Sequence, residues 1–163
     1  MSAVCCAVQR RRVLGALAAG AGLALGLAPS AQAAALLLPP SRSLANELAQ
    51  AQAVRQPLVV MVSLAGCPFC KVVREHYLGP MHQREGLPVV QVDMRSSAAT
   101  TDFAGRPATH GQLVRAWGIG IAPTVLFFGR GATEVAERLA GGYLPDFYGA
   151  YLDERLLAAR RRG

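Results

Sequence analysis

From residue 34 onward, unbroken apolar runs alternate with stretches where apolar residues recur every three or four positions. Leu58-Val59-Val60-Met61-Val62-Ser63-Leu64 is apolar almost throughout, the pattern of a central strand covered on both faces. Val89-Val90-Gln91-Val92-Asp93-Met94 and Thr124-Val125-Leu126-Phe127-Phe128 predict two further strands. Ser43 is placed to cap a helix over 44–55, with Glu47 in its first turns and Pro57 as the stop. After the Ala65-Gly66 turn a second helix is predicted over 69–78, ending before Gly79-Pro80. Residues 95–107 are polar and turn-rich and read as a loop. Thr109 and Gln112 form a capping box that opens a short helix to Trp117, closed by Gly118. Gly129-Arg130-Gly131 predicts a hairpin turn into a strand over 134–139. Gly141-Gly142 then break the chain, and Pro145 in a first-turn position begins a C-terminal helix to about residue 160.

The predicted order is α-β-α-β-α-β-β-α, without repeats. Two parallel crossovers followed by a hairpin give an α/β domain, its mixed central sheet flanked by helices on both faces.

The first forty residues change the reading of composition. Arg10-Arg11-Arg12, an Ala/Leu/Gly stretch over 13–28 and Ala31-Gln32-Ala33 have the basic, apolar and cleavage-site order of an export signal peptide. The expected organisation is an export signal at 1–33, an extended lead-in at 34–42 and one domain at 43–163, placing the mature protein in the periplasm. An uncleaved anchor is the rival, since apolar residues resume over 34–38, but Pro29, Ser30 and Gln32 interrupt that run. The arginines also fit a twin-arginine signal, although Gln9 stands where Ser or Thr is usual, so that route and general secretion stay open. Removing the three arginines takes the formal charge of +7 down to +4, spread thinly except for Arg160-Arg161-Arg162 at a helix end. No basic stripe suggests a nucleic-acid partner, and a monomer is expected.

Cys5 and Cys6 would leave with the signal, so the mature chain keeps two cysteines, both in Cys67-Pro68-Phe69-Cys70. Two cysteines separated by two residues close a small disulfide ring. At a helix start the first thiol feels free backbone N–H groups and the positive end of the helix dipole, which lowers its pKa below about 8.5. A stabilised thiolate is both the attacking species and the better leaving group in disulfide exchange. C-x-x-C alone is also half of a zinc site.

This element order, with CPFC at a strand-to-helix turn and Ala122-Pro123-Thr124 before the third strand, resembles the thioredoxin fold over roughly 44–157. Within that superfamily it looks most like periplasmic thioredoxin-like proteins of the SoxW type. The matching pieces are Gly66 to Lys71, Leu78-Gly79-Pro80, Val90 to Asp93, Asp102 to Gly105, the 109–119 helix and Gly141-Gly142-Tyr143. Glutaredoxins also use a Pro-first CPxC, but Thr after Pro123 follows the thioredoxin pattern. The resemblance implies that Pro123 is cis and lies beside the cysteines, with Ala122 facing the client. Two positions depart from cytosolic thioredoxins: Met61 stands where they carry a buried Asp, and Gly66 where they carry Trp. Some other group or water must then deprotonate Cys70.

The roles follow from position. Cys67 is the nucleophile and Cys70 the resolving thiol, while Pro68 and Phe69 set the ring geometry. Lys71 adds an exposed charge and His76 is read as a surface helix residue. His82 and His110 have no evident partner. Asp93 is a strand-end carboxylate that loop N–H groups would satisfy, and Trp117 packs in the core. The leading function is a protein-disulfide oxidoreductase that forms mixed disulfides with client proteins, without a cofactor or metal. By resemblance it runs in the reducing direction, fed by an inner-membrane electron donor of the DsbD/CcdA kind. Its clients would be sulfur-oxidation or cytochrome c maturation proteins. A DsbA-like oxidase uses the same chemistry in reverse, and the absence of a long helical insertion argues against it. A Cu(I)-binding or scaffold protein on the same fold is the non-enzymatic alternative, with two thiolates as half a tetrahedral site.

Overall fold

The computed structural model describes residues 37–142 and 145–163. The expected export signal at 1–33, Cys5, Cys6 and Tyr143 lie outside the described residues.

Helix α1 (Leu44–Ala53) begins at Ser43, whose Oγ accepts the Asn46 N–H. Strand β1 (Leu58–Ser63) has all six residues buried, as its unbroken apolar run requires. It pairs in parallel with β2 (Val89–Asp93) and antiparallel with β5 (Thr124–Phe128), which pairs with the two-residue β6 (Leu139–Ala140). The sheet order is β2-β1-β5-β6. Alternate β1 residues feed two cores. Val59 and Met61 join Cys70, Val73, Leu78, Tyr148 and Leu152 on one face. Val60 and Val62 join Leu44, Leu48, Leu113 and Val114 on the other. Helices therefore cover both faces, as expected.

Four expectations need correction. The second crossover is not parallel, because 118–123 return the chain to the edge where β1 ends, and Val62 pairs with Thr124. The helix after CPFC does not stop at Gly79-Pro80. It runs as α2 (Pro68–Val72), a π-turn (Val73–Leu78) and α3 (Gly79–Glu85), closing at Gly86 with φ 69°. Pro80 cannot donate to the His76 carbonyl. The wider turn absorbs this, with the Gly79 N–H reaching back to Arg74 O, while Leu78 and Gly79 are buried. The 95–107 loop contains a hairpin, β3 (Ala99–Thr101) against β4 (Pro107–Thr109). Asp102 closes it: Oδ1 accepts the Ala104 and Arg106 N–H groups at 2.9 Å each, and Oδ2 accepts Arg106 Nε at 2.8 Å. Finally, the strand expected over 134–139 is mostly irregular, with one bridge from Glu134 to Phe128 before β6.

Helix α4 (His110–Ala116) carries the predicted capping box, Thr109 Oγ1 accepting the Gln112 N–H while Gln112 Oε1 accepts the Thr109 N–H. Helix α5 (Pro145–Arg162) ends on the three arginines. The lead-in is extended where described: Ser41 N–H donates to Gln91 O and Gln91 N–H to Pro39 O, both at 2.8 Å. No helix among the described residues is long and apolar enough to cross a membrane.

Candidate active site

Gly66, at φ 75°, turns the chain out of β1 through a conformation that disfavours a side chain, which accounts for glycine at this departure. Cys67 follows as the N-cap of α2, with φ −79° and ψ 114°, and Pro68 occupies the first turn, where a missing N–H costs nothing. The Cys70 N–H donates to Cys67 Sγ at 3.1 Å. The two sulfurs are joined, with the Cα atoms 5.3 Å apart. Their surroundings differ sharply: Cys67 is half-buried at the rim, whereas Cys70 is 1% exposed in the apolar core with Met61.

The Ala122–Pro123 bond is cis. Pro123 is buried, and its loop is fastened by Thr124 Oγ1 donating to Ile121 O at 2.8 Å and Gly141 N–H to Pro123 O at 2.7 Å. This places the Ala122 carbonyl oxygen 3.8 Å from Cys67 Sγ. The structure thus brings Cys67, Cys70 and the Ala122-Pro123 loop together. Phe69, 45% exposed, and Ile121 beside Ala122 add apolar surface to the same rim.

Other candidates resolve differently. Lys71 lies 4.0 Å from Glu75 and is largely exposed, as is His76. The His82 ring bonds the Leu87 carbonyl at 2.8 Å. His110, fully buried, accepts the Asp93 N–H at Nδ1 (3.2 Å), so its Nε2 carries the hydrogen that meets Ser41 O at 2.8 Å. Trp117 packs its ring 5.8 Å from Phe128. Asp93 is not satisfied by loop N–H groups; its Oδ1 accepts from Gln91 Nε2 at 3.1 Å. Burial raises the Tyr148 phenol well above its ordinary value, with the Tyr77 hydroxyl adding to the rise. Among the described residues no three His, Cys, Asp or Glu side chains gather where a metal ion could sit.

Two neighbours were not legible in the sequence. Gly142 lies against Phe69, and Arg74 lines a cavity of about 440 Å³ with Cys67, Pro68, Lys71, Gln91 and Asp93. Gly142 entered the sequence reading only as part of Gly141-Gly142-Tyr143, with no contact assigned to it, and Arg74 carries no motif. Glycine next to glycine reads as a chain break.

The sequence matches the thioredoxin-like domain over residues 44–155. The chain belongs to the thioredoxin-like family. Among solved structures it is similar to the periplasmic thioredoxin SoxS from Paracoccus pantotrophus at 22% identity and a TM-score of 0.41, covering 64% of this chain and 99% of that one. It is also similar to a thioredoxin from Thermus thermophilus, at 20% identity, a TM-score of 0.47 and coverage of 74% and 86%. The DsbH oxidoreductase is similar at 14% identity, with a TM-score of 0.49 and coverage of 78% and 88%. No curated protein matches the sequence. This thioredoxin-like chain carries at its helix start a cysteine pair able to pass between disulfide and dithiol.

Proposed function

We propose that the protein is an exported thiol-disulfide oxidoreductase that reduces client disulfides in the periplasm, with Cys67 as nucleophile and Cys70 as resolving thiol. One observation carries the assignment: the sulfur at the rim belongs to Cys67, and that of Cys70 is buried beneath it. In the reduced protein the Cys70 N–H and the free N–H groups of the helix start favour the Cys67 thiolate. The Ala122 backbone and exposed Phe69 offer a client segment a polar edge and an apolar rest beside that sulfur.

The Cys67 thiolate attacks one sulfur of a client disulfide. A Cys67–client S–S bond forms, and the client's other sulfur leaves as a thiolate that takes a proton from water. The Cys70 thiolate then attacks Cys67 Sγ, closing the 67–70 disulfide and releasing the second client thiolate. The client gains two electrons from the protein and two protons, one matching the proton released by Cys70 and the other taken from water. A second dithiol restores the reduced form, and an inner-membrane donor of the DsbD/CcdA kind fits that role. Buried Met61 leaves no carboxylate at its position, so the Cys70 proton leaves by another route, through water or another side chain.

Substoichiometric alkylation of the reduced protein should label Cys67 first. Cys70→Ser should accumulate mixed disulfides with clients, and Cys67→Ser should abolish exchange. Earlier labelling of Cys70 reverses the roles. A 67–70 reduction potential near a thioredoxin-like value of about −270 mV supports the reducing direction, and one near about −120 mV assigns an oxidase.

A further inference from the structure

The cavity beside Cys67 holds two cations and one carboxylate, and its cations are sparingly used. Ser63 and Leu64 at the end of β1, Gly66 to Pro68, and Gln91 and Asp93 on β2 form its walls together with Lys71 and Arg74. Lys71 and Arg74 stand four and seven positions after Cys67, the spacing that puts side chains on one helical face. Arg74 is held from behind: Gln91 Nε2 donates to Asp93 Oδ1 at 3.1 Å, which turns the amide so that Gln91 Oε1 accepts Arg74 Nη1, also at 3.1 Å. That bond takes one of five guanidinium hydrogens. Arg74 Nε is shielded from water without a partner, and no carboxylate among the described residues lies within ion-pair distance of the group. Lys71 meets only Glu75, loosely, and Asp93 is already engaged by Gln91. A positioned guanidinium with spare donors suits a planar two-oxygen anion better than a water-exposed lysine does.

We infer that this cavity receives a carboxylate carried close to the disulfide that Cys67 attacks, so that the protein favours acidic over neutral or basic substrates, with Arg74 as the specificity-determining residue. The inference rests on the reading of Cys67 as the reactive sulfur. The carboxylate comes either from Asp or Glu next to a client cysteine or from a small acidic disulfide such as oxidised glutathione.

The test uses the reduced full-length protein and the alkylation rate of Cys67 by iodoacetate relative to iodoacetamide, followed by mass spectrometry of the Cys67 peptide. The two reagents differ in carrying a carboxylate or a neutral amide beside the reacting carbon. Arg74→Gln should lower the iodoacetate-to-iodoacetamide ratio about fivefold, of the order of the net contribution of one ordinary hydrogen bond, and Arg74→Lys should lower it less. Arg84→Gln, which removes one charge from the exposed end of α3, should leave the ratio unchanged. An unchanged ratio in Arg74→Gln, or an equal fall in Arg84→Gln, overturns the inference. Disulfide-linked peptides with Glu or Gln beside the cysteine, set against oxidised glutathione, then identify the source of the carboxylate. A ratio that falls while no disulfide is reduced would uphold the cavity and reject the proposed reductase. Equal reduction of Glu and Gln peptides and of glutathione disulfide, with an unchanged ratio, would do the reverse.

Discussion

A Cβ atom on Gly142 would lie 3.1 Å from Cβ of Phe69 and 3.6 Å from two of its ring carbons. The backbone just before α5 is therefore the surface on which the third residue of CPFC rests. The nearest atom is the one bonded to the Phe69 backbone, so the contact is not relieved by a side-chain rotation.

Gly142→Val should consequently move Phe69 and the start of α2 by several tenths of an ångström. Client disulfide reduction is expected to slow several-fold, while the melting temperature changes by a few degrees at most, since Gly142 is only half-buried. Insulin-disulfide turnover measured beside thermal melting checks this. Equal turnover would show that Phe69 does not depend on its rest.

His110→Phe should destabilise the domain by about 2–4 kcal/mol in urea unfolding. The ring would still fill the space, but the Asp93 N–H and the Ser41 carbonyl would lose their partners inside the protein. A loss below about 1 kcal/mol would mean that water replaces both bonds.

The β3–β4 hairpin should loosen in acid. The backbone N–H of Arg106, with further bonds from its side chain and from Ala104 N–H, holds the Asp102 carboxyl below its ordinary value of 3.8 despite some opposing desolvation. A lowered folded-state pKa means that this support is complete above the ordinary value and is lost as pH falls through the lowered one. Amide exchange at Ala104 and Arg106 should therefore rise below about pH 4 relative to the intrinsic rate. In Asp102→Ala it should already be fast at neutral pH.

Protein recovered from the periplasm should begin near Ala34, since the A-x-A site ends at Ala33. Recovery of a chain that still contains Arg10 would establish an anchor.

What the sequence disclosed was local. The unbroken run of β1, the Thr109–Gln112 box, Ser43 as a cap and the paired signals of CPFC and Pro123 are each written within a few residues, and each has its counterpart in the fold. The direction of β5 was hidden because it depends on where 118–123 deliver the chain, which no short window records. Helix α3 was hidden because Pro80 ordinarily stops a helix, and here the π-turn and the burial of Leu78 and Gly79 outweigh that preference. The β3–β4 hairpin has strands of three residues, too short for alternation to show. Around the site, the cysteines announced themselves through spacing. Gly142 and Arg74 did not, because their part comes from contacts across the fold, to Phe69 in one case and Gln91 in the other.

The lead-in has a bearing on solubility. Pro39 and Ser41 turn their bonding groups toward Gln91, which leaves Pro40 facing outward, and proline has no N–H to offer a further strand. Along this part of the β2 edge the outermost segment can accept a hydrogen bond at Pro40 but has no N–H there to donate to another chain. The proposed reductase would meet extended client segments at Cys67. With that stretch of the margin blunted, such segments would be held at the thiol and released rather than added along the edge.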